Sequence, residues 1–322
     1  MNELFVKITN EQELHNGFQY SDGLNILDSN FNENCDDFYG SGGFYITSLK
    51  NINKYYYCGI NLRIVELPLL DKNFKIVPVG DSWRVNMLIM KEKYSLYDKS
   101  TYDKFGLKME DNDFIVDFAS KNNNIKFFND WTDHKLLLKY TINSIDDASI
   151  LGNIDILNWW QESGLDLIYT SRAINYASAN NQIRILNWWK CSNLKLLYTS
   201  EALDLASKNG HKETLDWWLK SGLTLKYTEK SMDWASMKNQ YEVLDWWLNS
   251  GLTPRYSYEA MDYASWNGNV SVLNWWIKSG LELKYTKNYY FWYNNNDNKS
   301  NTNILDWWRQ SGLKIKFKHL QQ

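Results

Sequence analysis

The sequence predicts an α-helical solenoid of helix-turn-helix repeats preceded by a small α+β N-terminal domain. Pairs of adjacent tryptophans recur in the second half of the 322-residue chain, and their first members are 29 residues apart four times and 32 apart once. Two further columns, Ala-Ser and Tyr-Thr or Tyr-Ser, recur at the same spacing of 29. Such a period marks stacked units that bury their apolar faces against one another. The pairs are Trp159-Trp160, Trp188-Trp189, Trp217-Trp218, Trp246-Trp247, Trp275-Trp276 and Trp307-Trp308.

Residues 1–112 lack the period and are predicted to form the α+β head, while residues 113–322 form the array. Short β-branched and aromatic runs bounded by Gly, Asn, Asp and Pro are typical of strands. In the head these runs are FVKIT, GGFYIT, LRIVELP and RVNMLIM. The segment SLKNINKYYY is predicted to be a short helix between two of them.

The array begins before the first complete tryptophan pair. Ala119-Ser120 is the first member of the Ala-Ser column, and Trp131 falls at the position of a second tryptophan. We therefore expect about seven units, with a degenerate first unit and a last unit that caps the stack. The tail FKHLQQ is polar enough for that cap, since the end of a solenoid needs a wettable outer face.

Residues 198–226 show the pattern of one unit. Thr199 can accept hydrogen bonds from the first turn of a short helix, which Asn209-Gly210 ends because both residues tolerate the left-handed conformation. An apolar stripe that includes Trp217-Trp218 predicts a second helix, which Ser221-Gly222 ends. The residues LTLK then return the chain to the next unit.

This unit resembles the ankyrin repeat. The stretch DLASKNGHKETLDWWLKSG matches the ankyrin pattern of a small-residue helix, an Asn-Gly-His turn and a leucine-rich second helix, with tryptophans in place of the paired leucines. The ankyrin unit has about 33 residues, so the resemblance implies that each β-hairpin is truncated. Short repeats behind a head with GFYIT and LRIVELP segments resemble the ankyrin-like repeat proteins of giant amoeba-infecting viruses.

The tryptophan pairs allow two interpretations. Aromatic faces can hold successive nucleobases or sugars. The pairs, however, occupy the stripe of the second helix that must bury against the first helix and the next repeat. We therefore expect all six pairs to be structural core.

A polar column, mostly aspartate, runs along the first helices. Its members are about one repeat apart, roughly 10 Å for stacked helices, which is too far for shared metal ligation at about 2.0 to 2.6 Å. In ankyrin repeats this position ties down the loop between units, so we expect structural hydrogen bonds. The column is Asp146, Asn175, Asp204, Asp233 and Asp262.

The composition favours no nucleic-acid or membrane partner. Lys and Arg number 35 and Asp and Glu 38, so the net charge is -3, which gives no drive toward polyanions. Three distant cysteines fit a reducing compartment, and neither a signal peptide nor an apolar run of about 18 residues is present. We expect an intracellular monomer, in the host cytoplasm by the viral resemblance.

Residues for catalysis, metal binding or cofactor binding are not predicted. The four histidines, His15, His134, His211 and His319, have no partner at a catalytic or metal-binding spacing. Sequence motifs for nucleotide binding, zinc hydrolysis and serine hydrolysis are also missing. The sequence therefore predicts a protein that is not an enzyme.

One stretch supports an alternative function. FYGSGGFYITSLKNINKYY is similar to the glycine-aromatic strand of ADP-ribosyltransferase-like toxins, and this resemblance implies a degenerate NAD-binding head that the repeats would target. Gly40, Gly42 and Gly43 would allow close backbone approach, and Tyr45 offers a ring for stacking. No His or Arg begins such a fold, and Glu66 is equally an exposed strand residue.

Variable positions on the first helices are the predicted binding surface. In an ankyrin-like stack these faces line a concave groove, and Tyr, Trp and Arg supply much of the affinity of protein interfaces. The alternative is that they are unconstrained solvent positions. We expect a scaffold or adaptor that binds a host or viral protein partner through Arg172, Tyr176, Glu201, Lys230, Trp234, Glu259 and Tyr263.

Overall fold

A computed structural model describes residues 3–37, 41–134, 137–286 and 302–313. The chain divides into two compact units, Met1–Ser144 and Ile145–Gln322. The predicted head ends at residue 112, whereas the first unit of the structure continues through the first helix pair. Gly40, the insertion before the last tryptophan pair and the tail predicted to cap the array lie outside the described residues.

The first unit is built on nine strands. Two form a small hairpin, and the other seven form one antiparallel sheet in the order β4-β9-β6-β1-β5-β8-β7. The strands are β1 Phe5–Thr9, β2 Leu14–His15, β3 Phe18–Gln19, β4 Gly23–Ile26, β5 Phe44–Ser48, β6 Asn61–Glu66, β7 Ile76–Val79, β8 Ser82–Val85 and β9 Met87–Ser95.

Three predicted strands coincide with β1, β5 and β6, but RVNMLIM is not one strand. The chain turns at Asn86, between the end of β8 and the start of β9. The backbone N–H of Asn86 donates to the Lys75 carbonyl at 3.2 Å, and its side chain bonds Lys75 and Asn73. These bonds hold the turn against the loop before β7. The hydrophobic pattern of RVNMLIM does not predict them, so the segment looked like one strand.

On one face of the sheet, Tyr20 packs against core residues of four strands. The predicted short helix is a 3-10 helix over Leu49–Cys58, and it buries Ile52 and Tyr56. The core residues of that face are Phe44, Ile46, Val65, Val85, Leu88 and Met90.

Helices follow the sheet within the first unit. They are α1 Lys99–Phe105, a 3-10 turn Met109–Asp111, α2 Ile115–Lys121 and α3 Ile125–His134. Trp131 of α3 is only 6% exposed, and Asn122 donates to the Tyr97 hydroxyl at 3.0 Å. The pair α2/α3 therefore takes the place of the degenerate first repeat.

Helix pairs continue through the second unit. Between the two helices of a pair, a residue with positive φ reverses the chain, as Gly210 does at +82°. None of the described residues of this unit lies in a strand, so the hairpins are absent and the predicted fold class is confirmed. The helices are α4 Asn143–Leu151, α5 Ile154–Glu162, α6 Arg172–Ala179, α7 Ile183–Cys191, α8 Glu201–Lys208, α9 Lys212–Lys220, α10 Lys230–Met237, α11 Tyr241–Asn249, α12 Glu259–Trp266, α13 Val270–Lys278 and α14 Thr302–Gln310.

The first helices of successive repeats pack directly on one another, and more closely than the second helices do. The Ala-Ser column accounts for this packing, because Ala177, Ala206 and Ala235 are fully buried and their small side chains let the helices approach. The outer stripes of neighbouring first helices consequently form one continuous surface.

Candidate functional site

The second tryptophan of each pair lies inside the stack, and each is at most 1% exposed. From Trp189 onward, its indole N–H crosses to the first helix of the preceding repeat and donates to the serine hydroxyl of the Ala-Ser column at 2.9 to 3.1 Å. The donor and acceptor residues are Trp189 and Ser149, Trp218 and Ser178, Trp247 and Ser207, Trp276 and Ser236, and Trp308 and Ser265.

The first tryptophan of each pair lies at the edge of the stack, which differs from the expectation of twelve core indoles. Trp246 is buried at 7% exposure, whereas the other five are half-buried. The indole N–H donates to the Asn or Asp that precedes the pair in the previous repeat, as Trp217 does to Asn187 at 2.7 Å. These contacts favour a structural role over a ladder for nucleobases.

The tyrosine column covers the buried indoles. The Tyr198 ring lies 4.8 Å from the Trp218 ring, and its hydroxyl donates to the Thr224 carbonyl at 3.0 Å. Lys226 lies 4.4 Å from the centre of the Tyr198 ring and donates to its carbonyl. Equivalent ring contacts recur at Tyr169, Tyr227, Tyr256 and Tyr285.

The polar column holds the start of the next first helix. Asp204 accepts hydrogen bonds from the backbone N–H of Thr228 at 3.0 Å and from its hydroxyl at 2.8 Å. Asn175 accepts from the Thr199 N–H at 3.0 Å and donates to the Thr199 hydroxyl at 2.8 Å. The geometry at these positions is that of a structural tie between repeats.

The outer stripe of each first helix remains open to solvent. Of the predicted contact residues, Arg172, Tyr176, Glu201 and Lys230 are exposed, and Trp234, Glu259 and Tyr263 are half-buried. The stripe also includes a third position seven residues after its first, which holds Lys208, Met237 and the 46% exposed Trp266. Helical periodicity would have found this position, because residues i, i+4 and i+7 share a face.

We call the eleven accessible residues on this stripe of helices α6, α8, α10 and α12 the first-helix surface. They are Arg172, Tyr176, Glu201, Leu205, Lys208, Lys230, Trp234, Met237, Glu259, Tyr263 and Trp266.

Contacts between neighbouring helices join the first-helix surface into one patch. The Trp234 ring lies between two cations, with Lys208 of the preceding helix and Lys230 of its own helix each 5.2 Å from the ring centre. At the other end, the Tyr263 and Trp266 rings lie 6.4 Å apart. Exposed aromatic rings flanked by charge are typical of protein-binding surfaces.

In the described part of the head, the side chains of Tyr45 and Glu66 each contact a basic residue. Tyr45 accepts hydrogen bonds through its hydroxyl from the buried Arg84 guanidinium at 2.7 and 3.1 Å. Glu66 is exposed and pairs with Lys91 at 2.7 Å. The Tyr45 hydroxyl and the Glu66 carboxylate are thus each engaged by a basic side chain.

Within the described ranges, no group of three or more His, Cys, Asp or Glu side chains is placed to hold a metal ion. No helix among the described residues has the length and apolar character needed to cross a membrane.

Comparison with known proteins finds relatives for the repeats. Residues 232–292 match the family model "Ankyrin repeats (many copies)". Three proteins of Acanthamoeba polyphaga mimivirus are similar: "Uncharacterized protein L696" is 46% identical over 41% of this chain and 42% of its own length. "Putative ankyrin repeat protein R868" is 40% identical over 37% of this chain and 61% of its own length. "Uncharacterized protein R869" is 45% identical over 31% of this chain and 73% of its own length.

The chain thus spans about two fifths of L696 and three fifths of R868.

Proposed function

We propose that this chain, which belongs to the ankyrin repeat family, is a protein-interaction scaffold that binds its partner through the first-helix surface. The observation that carries the proposal is the contrast between the repeated columns and the first-helix surface. The tryptophan, serine and aspartate columns bond one repeat to the next, and the tyrosine column bonds the two ends of each repeat together. The first-helix surface varies from repeat to repeat and stays accessible to solvent.

The chemistry of the first-helix surface favours a folded or peptide-like protein partner. Tyr176 and Trp266 are 40% and 46% exposed, and aromatic side chains of this kind anchor interfaces when a partner covers them. Arg172, Glu201 and Lys230 supply charges of both signs, which select partners by complementarity. The resemblance to viral proteins leads us to propose a host or viral partner inside the infected cell.

We assign no reaction to the chain. The alternative of an ADP-ribosyltransferase-like head lacks support, because Glu66 is paired with Lys91 and Tyr45 is engaged by Arg84. The proposed activity is therefore recognition.

Affinity capture from an amoeba lysate tests this function. The full chain is compared with a triple variant, Tyr176→Ala, Trp234→Ala and Tyr263→Ala, and with a control that carries Leu219→Ala and Tyr241→Ala, two exposed positions on second helices. We expect mass spectrometry to identify a protein bound by the parent and the control but not by the triple variant. Equal capture by all three, or recovery of nucleic acid alone, would rule out the first-helix surface as the binding site.

A further inference from the structure

A cleft opens in the head where two central strands separate. Strands β1 and β5 pair at only two positions, Phe5 with Ser48 and Val6 with Thr47, whereas β1 and β6 pair along all five residues of β1. Beyond Val6, residues of β1, β5, the β2–β3 hairpin and the 3-10 helix line a cleft of about 1140 Å³. Ligand pockets commonly measure about 300 to 1,000 Å³, so the cleft is large enough for a small molecule.

Lys7 lies in this cleft and is only 7% exposed. Its ammonium donates to the Tyr45 carbonyl at 2.8 Å, across the part of the sheet where β1 and β5 no longer pair. The ammonium also lies 4.9 Å from the centre of the Tyr20 ring. Both tyrosines line the cleft, so the charge is held at its wall.

Arg63, directly opposite Lys7 on β6, shows how this region neutralises a buried cation. Its guanidinium is paired with Asp22 and, at 3.7 Å, with Glu13. Lys7 differs, because within the described residues no Asp or Glu oxygen lies within 4.0 Å of its ammonium. Asp22 and Glu13 therefore neutralise Arg63, and neither carboxylate pairs with Lys7.

The carboxylates that line the cleft do not change this balance. Asp81 pairs with the exposed Lys54, and Asp28 is itself exposed. Burial lowers the pKa of Lys7 to about 8, so most of the population is cationic at pH 7. A buried cation is stable when an anion lies against it, because the low dielectric of the interior strengthens their attraction.

We propose that the cleft binds a small organic anion, with its carboxylate or phosphate paired to Lys7 and its apolar body against the aromatic wall. Tyr20 and Phe44 pack against each other at 5.4 Å and supply that wall together with Phe18. Gly42 and Gly43 also line the cleft, and their lack of a side chain lets Asn30 and Arg84 pack closely behind its rim. This site is separate from the first-helix surface and does not depend on the proposed partner.

Calorimetric titration of the full chain tests the proposal with matched probes. Adenosine monophosphate is compared with adenosine, benzoate with benzamide, and inorganic phosphate serves as the anion without an apolar body. We expect at least one organic anion to bind saturably, roughly tenfold or more tighter than its neutral counterpart. The phosphate and carboxylate arms distinguish the two kinds of anion.

Lys7→Met removes the charge and leaves an unbranched side chain one atom shorter, and Lys75→Met removes an exposed lysine that pairs with Glu33. We expect Lys7→Met to weaken anion binding roughly tenfold or more and Lys75→Met to leave it unchanged. Circular dichroism checks that both variants are folded. If Lys7→Met does not fold, the anion and neutral pairs on the unaltered chain decide the question. Binding of neither anion, equal binding of anion and neutral probe, or full binding by folded Lys7→Met would overturn the proposal.

Discussion

The indole N–H of Trp218 donates a hydrogen bond of 3.0 Å to the hydroxyl of Ser178, which lies on the first helix of the preceding repeat. Both residues are fully buried. The serine hydroxyl in turn donates to the Ile174 carbonyl at 2.9 Å, so every polar atom in this chain of bonds has a partner. The bond therefore joins two repeats without leaving an unsatisfied group in the core.

Ser178→Ala should destabilise the array by about 1 to 3 kcal/mol, because it leaves the Trp218 indole N–H buried without an acceptor. The midpoint of urea unfolding measures the loss. Ser271→Ala on the exposed surface of α13 is the control: it removes a solvent-exposed hydrogen bond to Asn239, which water can replace, and should stay within about 0.5 kcal/mol of the parent. Combining Ser178→Ala with Trp218→Phe should restore part of the loss, since donor and acceptor are then both absent.

The two members of one tryptophan pair should differ in their contribution to stability. Trp218→Ala opens a cavity in the core and should cost about 3 to 5 kcal/mol. Trp217→Ala should cost less, about 1 to 2 kcal/mol, because its ring is already half-exposed and Asn187 can bond to water instead. Chemical denaturation of both variants measures the difference, and equal losses would contradict the assignment of core and edge.

Asp233 should make the stability of the array depend on pH. Burial raises the pKa of its carboxyl from 3.8 to about 6, against the hydrogen bonds from Ser257, and Glu259 and Glu229 raise the pKa further. The folded array binds the proton more tightly than the unfolded chain, so this contribution is fully present below pH 3.8 and is lost as the pH rises through 6.

Asp233→Asn removes that dependence. We expect the variant to exceed the parent in stability by about 1 to 3 kcal/mol at pH 7, and the difference should disappear below the unfolded pKa of 3.8. Urea unfolding of both proteins between pH 3.5 and 7 gives the comparison. A difference that does not change with pH would rule out the ionised carboxyl as its cause.

The chain contains the reciprocal case at Asn175. Its amide donates to the Thr199 hydroxyl at 2.8 Å and to the Glu201 carboxylate at 3.1 Å. Asn175→Asp replaces that donor with a second negative charge beside Glu201, so the variant should lose stability at pH 7 and regain part of it in acid. The same titration of unfolding midpoints tests this variant.

Substitutions on the first-helix surface should change the stability of the array only slightly. Trp234→Ala removes a half-exposed ring that the Lys208 and Lys230 cations flank, so we expect a loss of less than about 1 kcal/mol. Thermal unfolding of this variant and of Trp247→Ala, whose ring is fully buried, gives the contrast. A similar loss in both would place Trp234 among the structural residues.

The repeat architecture could be predicted in detail from the sequence because the same residue types recur at the same positions in each unit. Asn209-Gly210 predicted the turn, and the four residues missing from each ankyrin unit predicted truncated hairpins, where the described residues of the second unit form no strand. The difference between Trp217 and Trp218 was not predicted, since adjacent residues on one helical stripe differ in depth only once the neighbouring repeat is placed against them.

The head was less predictable because its elements are short and depend on distant partners. Strand β4 has four residues and alternates exposed Leu24 and Ile26 with a buried Asn25, which reverses the usual pattern. Lys7 likewise looks like a solvent-facing residue of an alternating strand. It is buried because Tyr20, which follows the β2–β3 hairpin, lies against its ammonium group. Neither the burial of Asn25 nor that of Lys7 can be predicted from the neighbouring residues in the sequence.

The bond between Trp308 and Ser265 joins residues 43 apart, whereas the equivalent residues in the preceding repeats are 40 apart. Three additional residues thus leave the interface chemistry intact. Since each repeat carries one donor for the unit before it and one acceptor for the unit after it, duplication or loss of a whole unit would leave every remaining interface complete. An array bonded in this way can change its length by recombination of its gene without compensating substitutions elsewhere.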